Sequence, residues 1–357
     1  MGKDVFINMK SKKKLQDEGK MVYPEIIDIH PVMNMCNLKC SWCIGEHDVT
    51  KKQKKNQILL DYHKYTDFFT SIFNDDMREF WPTEAHICGN NSEPLLNRDF
   101  IANFLEISYR KTIIELITNG VLLHNYFELT DKIDKISISL DCFSAEDFVK
   151  YKSGTKEQFA KIIENIKTID NLRKSSAKRT ILYVTFVLGY VPSIEEVGIE
   201  SFIEMLVDFG VNHIQFRTNY ILKSSNYEDY LKSLVTRLRA KFGISHDAVI
   251  YNNDNINQLY IKYNEYTSRA ISLSSTCGCT MMPLWPTIAA NMCMYPCAHV
   301  ANEENKINGI SIMETKLDYY QLFDYIKKRE YTPVCSEVNL CPSMAYYFNN
   351  SYIREKI

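Results

Sequence analysis

Residues 25–43 read EIIDIHPVMNMCNLKCSWC, and a strand-like apolar run there leads straight into three cysteines, Cys36, Cys40 and Cys43. The thiols are too close together for a disulfide network, and the third has no local partner. A strand followed at once by a chemistry-bearing loop is how a β-α barrel presents functional residues, at the C-terminal ends of its strands. A barrel also requires further strands and helices in alternation along the chain.

Downstream, strand patterns recur at EAHIC (84–88), IIELIT (113–118), KISISL (135–140), ILYVTFVL (181–188) and HIQFR (213–217). Helical patterns lie between them. The clearest is 156–174, where Phe159, Ile162, Ile163, Ile166 and Ile169 share one face. Six β-α units in succession predict an α/β fold, a parallel sheet with helices outside it. Two further helical patterns, 227–242 and 256–266, precede a second group of cysteines. The expected organisation is an N-terminal arm (1–24), a partial (β/α)6 TIM-like barrel (25–225), a helical linker (226–275) and a small cysteine-rich domain (276–357).

Composition narrows the function. Among 357 residues, 42 basic and 44 acidic side chains leave a formal charge of -2, which gives no broad attraction for nucleic acid or an anionic membrane. The first twenty residues are charged and lack an apolar h-region, and no stretch approaches a spanning helix. The expectation is a soluble cytoplasmic protein, with Lys12 to Lys14 as a solvated arm.

The chain has 11 cysteines, unusual for a reducing compartment unless most of them bind metal. Nine fall in two groups, and Cys88 and Cys142 read as small buried residues. Zinc is one candidate, since structural zinc takes four protein ligands and His30 or His47 stands near the first group. An iron-sulfur cube on three thiolates is the other, and it keeps one iron open for a further ligand.

Cys36-x3-Cys40-x2-Cys43, with the aromatic Trp42 before its last cysteine, resembles the motif of the radical S-adenosylmethionine (SAM) superfamily. The resemblance implies a 4Fe-4S cluster on the three cysteines. Its open iron would chelate SAM, and an electron from the cluster would cleave SAM to methionine and a 5'-deoxyadenosyl radical that takes a substrate hydrogen atom. It also implies an external one-electron donor such as flavodoxin or ferredoxin. GNNSEPLLN (89–97) resembles the family's Gly-Gly-Glu-Pro segment, with Asn91 and Ser92 in the glycine places and Glu93 as acceptor for the SAM ammonium. Thr118 and Asn119 of TNG, and Ser139 and Asp141 of SLD, match the positions that touch the SAM carboxylate or ribose.

The second group, CGCTMMPLWPTIAANMCMYPCAHV (277–300) with CSEVNLC (335–341), resembles the C-terminal SPASM or twitch extension. That resemblance implies a β-hairpin turning at Asn291-Met292 and an auxiliary 4Fe-4S cluster on Cys279, Cys297, Cys335 and Cys341. Cys277 is an alternative to Cys279, and Cys293 is spare. A zinc ribbon is the competing reading of the same cysteines.

Four thiolates would leave no open iron, so the implied auxiliary cluster suits electron acceptance and the net reaction would be an oxidation. With the first strand starting near residue 25, no separate peptide-recognition domain is visible, which favours a small sugar- or cyclitol-like substrate. The alternatives are a peptide-modifying radical SAM enzyme that crosslinks, oxidises or epimerises, and, outside catalysis, a zinc-stabilised binding module. Arg217 is a candidate substrate contact, through a carboxylate or phosphate. Cys142 is a candidate hydrogen donor of the kind epimerases use.

Overall fold

The computed structural model describes residues 11–12, 14–16, 18–43, 56–175, 180–188, 190, 192–218, 225–244, 260–264, 283–298, 301 and 309–328. They divide into two units. The first comprises Met1–Gly2, Cys36–Lys52 and Glu115–Tyr266; the second comprises Lys3–Met35, Gln53–Ile114 and Thr267–Ile357.

Strands in parallel ladders are, in chain order, β1 (Ile26–His30), β2 (Glu84–Ile87), β3 (Ile113–Thr118), β4 (Lys135–Ser139), β5 (Ile181–Leu188), β6 (His213–Thr218), β7 (Tyr260–Asn264) and β8 (Thr287–Ala289). The fold class is therefore the expected one, α/β with a large parallel sheet, and no closed barrel forms among the described residues. In the second unit the order is β8-β1-β2, and in the first it is β3-β4-β5-β6-β7.

Parallel strands covered on both faces normally read as continuous apolar runs. These do not. Side chains alternate across a strand, so β1 carries Ile27 and Ile29 on one face, each 0% exposed, and Asp28 and His30 on the other. In β2, Ala85 and Ile87 alternate with Glu84 and His86. In the first unit the registers Glu115↔Lys135, Ser137↔Tyr183 and Tyr183↔His213 set further polar residues side by side in two neighbouring rows. Ser137 Oγ donates to Glu115 Oε1 at 2.6 Å between them. A buried polar face is the informative departure from an ordinary core.

The helices cover the apolar faces. In α4 (Lys156–Ser175), which comes after α1 (Thr66–Ile72), α2 (Arg98–Ser108) and α3 (Ala145–Lys152), Phe159, Ile162, Ile166 and Ile169 are buried as their spacing predicts, and Ile163 is half-buried. Gly120, at φ +84, lies under that face: a Cβ there would sit 3.0 Å from Ile138 Cγ2 and 3.2 Å from Ile162 Cγ2. Only glycine combines the left-handed backbone with that approach. Next come α5 (Glu196–Asp208) and α6 (Ser225–Lys241), the latter where the 227–242 pattern predicts a helix.

Two expectations need correction. The pattern at 256–266 is not a helix: Tyr260–Asn264 forms β7, paired in parallel with β6 from His213↔Tyr260 to Arg217↔Asn264. Tyr, Ile and Tyr suit a pleated surface, and the otherwise unpaired edge of β6 supplies hydrogen bonds that local periodicity does not register. Lys12 is not a solvated arm either. Its Nζ lies 2.6 Å from Glu25 Oε2, whose side chain is only 4% exposed.

In the C-terminal segment the expected hairpin forms. β8 pairs antiparallel with β9 (Cys293–Tyr295), Thr287 opposite Tyr295. Met292, at φ +52, closes the turn by donating its N–H to Ala289 O at 2.8 Å. β9 pairs in turn with β10 (Ile310–Ser311). Beyond it lie the helices α7 (Ile312–Thr315) and α8 (Tyr319–Lys328). α8 packs on α1 within the same unit: Tyr320 Oη donates to Ile72 O at 2.9 Å, and Tyr319 N to Ser71 Oγ at 3.0 Å.

Candidate active site

In the first unit the cysteine loop is held by backbone. The last carbonyls of a helix have no partner inside it, and at the end of α3 two of them are taken by the loop. Lys39 N donates to Lys152 O at 3.1 Å and Ser41 N to Tyr151 O at 2.8 Å, while Cys43 N closes a turn on Cys40 O at 3.0 Å. The Trp42 ring then stacks on Tyr190, 5.6 Å between centroids and 8° from parallel. Cys36 is exposed, Cys40 and Cys43 are half-buried, and none of the three is in a disulfide. Three soft donors on one short loop fit a thiolate-ligated iron-sulfur cluster. Burial pushes the Cys40 thiol up to about 12, with Lys152 opposing it. A cation bound at the sulfur is what would make the thiolate form favourable there.

The TNG turn reaches this loop directly. Asn119 Nδ2 donates to Asn37 Oδ1 at 2.7 Å and lies 3.8 Å from Cys36 Sγ, while its Oδ1 accepts from Val121 N at 3.0 Å. Thr118 Oγ1 accepts from Gly120 N at 3.0 Å.

Beneath the loop lies a residue that sequence reading passes over. Lys152, the last residue of α3, is 1% exposed. Its Nζ donates to Asp141 Oδ2 at 2.8 Å and to the Ser139 and Leu140 carbonyls. Burial is the largest single influence and favours the neutral amine, but the Asp141 carboxylate together with the Cys40 and Cys142 sulfurs outweighs it and holds the Lys152 pKa above the ordinary lysine value. Asp141 itself, at φ +59, is held at both carboxylate and carbonyl: Oδ1 accepts from Val187 N at 2.8 Å, and its carbonyl accepts from Tyr190 Oη at 2.9 Å. Nothing in VKYK, the end of α3, distinguishes Lys152 from the exposed Lys150 two residues earlier. Cys142, next along, is 0% exposed, and burial raises its thiol to about 12. Arg217 is half-buried and donates from Nε and Nη2 to Gln215 Oε1 on its own strand face, at 3.0 and 2.6 Å.

In the second unit, 89–97 is fixed by the neutral side chains of Asn91, Ser92 and Asn97 and by the Glu93 carboxylate. Asn91 Nδ2 donates to Asn34 Oδ1 at 2.6 Å, and Ser92 Oγ to Val32 O at 2.7 Å. Neither Asn91 nor Ser92 has positive φ, so the loop does not need glycine at either place. It needs Gly89, where a Cβ would collide with the Ser92 carbonyl. Glu93 is 2% exposed; its Oε1 accepts from Leu95 N at 3.1 Å and its N–H donates to Met35 O at 3.0 Å. Asn97 closes the loop by donating to Pro31 O and Leu60 O, both at 2.9 Å, while its Oδ1 caps α2 at Phe100 N.

On the polar strand faces the structure adds residues that went unremarked in the strand patterns. Asp28 Oδ1 accepts from Trp285 Nε1 at 2.8 Å and faces His86 Nδ1 at 3.0 Å, while His86 Nε2 faces Glu84 Oε2 at 3.2 Å. His30 is buried, and desolvation lowers its pKa to about 4 despite the nearby Asp28 charge. The signal was present: DIH and EAHIC place polar groups two apart, on one strand face. Of the second cysteine group, Cys293 is buried in β9 and Cys297 is half-buried beyond it. His47, Cys277, Cys279, Cys335 and Cys341 lie outside the described residues.

No protein-family model matches the chain. The sequence is 26% identical over 182 residues to GTP 3',8-cyclase of Alkaliphilus oremlandii (strain OhILAs), covering 50% of this chain and 51% of that protein. The chain thus spans about half the length of this curated relative. SuiB of Streptococcus suis bound to S-adenosylmethionine superposes with a TM-score of 0.58 at 13% identity, covering 87% of this chain and 68% of SuiB. SuiB bound to its precursor peptide SuiA gives 0.58 at 14% identity, covering 87% and 66%. At these identities the likeness to SuiB is one of fold. No described helix is long and apolar enough to cross a membrane.

Proposed function

We propose that this chain is a radical SAM enzyme, a reading supported by its cysteine motif, by its partial similarity to GTP 3',8-cyclase and by a fold like that of SuiB, and that Cys36, Cys40 and Cys43 hold a 4Fe-4S cluster that cleaves SAM reductively. The observation that carries the reading is the loop itself: three thiols outside any disulfide, latched to the end of α3, with the Asn119 amide 3.8 Å from Cys36 Sγ. When bound, cluster and SAM supply a 5'-deoxyadenosyl radical for hydrogen-atom abstraction.

The protein's own residues have simpler tasks. Lys39 and Ser41 hold the loop by their backbone, Trp42 packs it against Tyr190, and Lys152 with Asp141 anchors the strand end beneath. Glu93 is proposed as the acceptor for the SAM ammonium, with Ser92, Thr118, Asn119, Ser139 and Asp141 lining the cofactor. Full burial of Cys142 supports a packing role over hydrogen donation.

For the chemistry, we infer net oxidation of a small hydroxylated substrate, sugar- or cyclitol-like, held in part by Arg217. The second electron would leave through an auxiliary 4Fe-4S cluster on Cys279, Cys297, Cys335 and Cys341 in a C-terminal domain. An external flavodoxin or ferredoxin would supply the first electron in the cytoplasm. The polar strand faces support such a substrate. The second reading, modification of a peptide, is favoured by the breadth of the fold likeness to SuiB, a structure of which holds a precursor peptide.

Reduced, anaerobically purified protein incubated with SAM should release 5'-deoxyadenosine, and the Cys36→Ala, Cys40→Ala, Cys43→Ala triple variant should release none. That variant should keep about four iron atoms per chain, the content of one cube on four thiolates. Undiminished cleavage would remove the first assignment, and zinc in place of the iron would remove the second. Colourless wild-type protein with zinc at both cysteine groups would leave the binding-module reading.

A further inference from the structure

We propose that Asp28, His30 and Cys88 form a mononuclear zinc site in the second unit, with ligands that belong to neither cysteine group. Three observations converge on it. First, one potential ligand atom from each of the three residues lies within 4.8 Å of the other two. All three residues are buried, at 7%, 3% and 8% exposure. Second, His30 Nε2 is buried without a hydrogen-bond partner. A buried unsatisfied nitrogen in a native fold calls for an explanation, and an ion is among the few available. Third, the carboxylate is pre-oriented. Both hydrogen-bonding neighbours of Asp28, Trp285 Nε1 and His86 Nδ1, engage Oδ1, and Glu84 in turn fixes His86. Outer residues that lock a ligating carboxylate are the usual companions of a metal centre.

Strand geometry explains the convergence. The parallel register pairs Asp28 with His86 and Ile29 with Ile87, and Cys88 N donates to Ile29 O at 3.0 Å. Continuing that register by one residue sets His30 beside Cys88. Since side chains two apart share a face, Asp28, His30, His86 and Cys88 project to the same side.

Oxygen, nitrogen and sulfur from one residue each do not suit magnesium or calcium, which take oxygen ligands. They are the three zinc donor types. Zinc bonds of about 2.0–2.3 Å give tetrahedral donor separations of about 3.4–3.8 Å, so small side-chain rotations close the site. Three protein ligands leave the fourth position open, able to take a water or a substrate oxygen.

The test uses full-length protein whose clusters have been reconstituted with iron and sulfide, then given one equivalent of zinc and desalted. We expect about one zinc per chain, with a zinc-edge X-ray absorption spectrum showing one sulfur among nitrogen and oxygen neighbours. His30→Gln and Cys88→Ser should each reduce retention at least tenfold, whereas Cys142→Ser should retain it. The Cys36, Cys40, Cys43 triple alanine variant should retain it too, so failure of the zinc site and failure of the cluster assignment read out separately. Circular dichroism identifies a variant that does not fold, and Asp28→Asn, nearly isosteric, then takes its place. Absence of retained zinc, a sulfur-only zinc shell, or equal retention in the folded ligand variants would overturn the proposal.

Discussion

The two units fix the loops beyond their strands by different means. In the first, a buried ion pair does so: Lys152 and Asp141, with side chains 1% and 5% exposed, knot the end of β4 under the cysteine loop. In the second, the loop beyond β2 is tied to its neighbours by amides and hydroxyls, through Asn91, Ser92 and Asn97, while the Glu93 carboxylate accepts locally, from Leu95 N. A buried charge is costly once its partner goes, whereas a neutral hydrogen bond contributes little net and its loss is tolerated more easily. The cysteine loop therefore rests on an all-or-none support, and its counterpart on several small ones.

The strongest way to break this contrast is Lys152→Met. Leaving Asp141 buried without its cation should cost about 3–5 kcal/mol, read as a shift in the urea midpoint at constant slope. Adding Asp141→Asn, which keeps a side chain tolerant of φ +59, should restore much of it. A loss under about 1 kcal/mol in the single variant would mean the carbonyls alone hold the strand end.

Acidity should separate the units next. The folded His30 pKa, about 4, lies below its ordinary value of about 6.5, so the folded state binds fewer protons between those limits. Its contribution is fully present above about pH 6.5 and is lost as pH falls toward 4, about 3 kcal/mol in all. Denaturation of zinc-free protein at pH 7 and pH 5 should show the decline, and His30→Gln should flatten it. An unchanged slope in that variant would assign the decline to other groups.

Smaller again is Asn97→Ala. It deprives two carbonyls of a donor and α2 of its cap, for about 2 kcal/mol. A loss near zero would show that water replaces the amide. The smallest effect belongs to Asn91→Gly, under about 1 kcal/mol, because the backbone there has no need of glycine. A loss as large as that of Lys152→Met would erase the difference between the loops.

How far the chain could be read in advance follows the same division. The six strands of the parallel sheet before residue 220 were readable, as was α4, because side-chain periodicity is a property of consecutive residues; the two-residue antiparallel pair Val32–Met33 and Ile58–Leu59 was not. The cysteine loop was readable because its spacing is local too. β7 was not. Tyr260–Asn264 is a strand because β6 offers it an edge, and a sequence window contains no edge.

The sequence by itself determined the order of the parallel strands before residue 220 and the three-thiol loop, and its resemblance to a known extension implied the hairpin turning at Asn291-Met292. Only tertiary structure decided that Lys152 rather than Lys150 would be buried, that Asn119 would meet Cys36, and that Asp28, His30 and Cys88 would converge. The physical reason is range. Periodicity selects which face of a strand a residue occupies, but the register between strands distant in sequence selects its neighbours, and charge and ligand chemistry depend on neighbours.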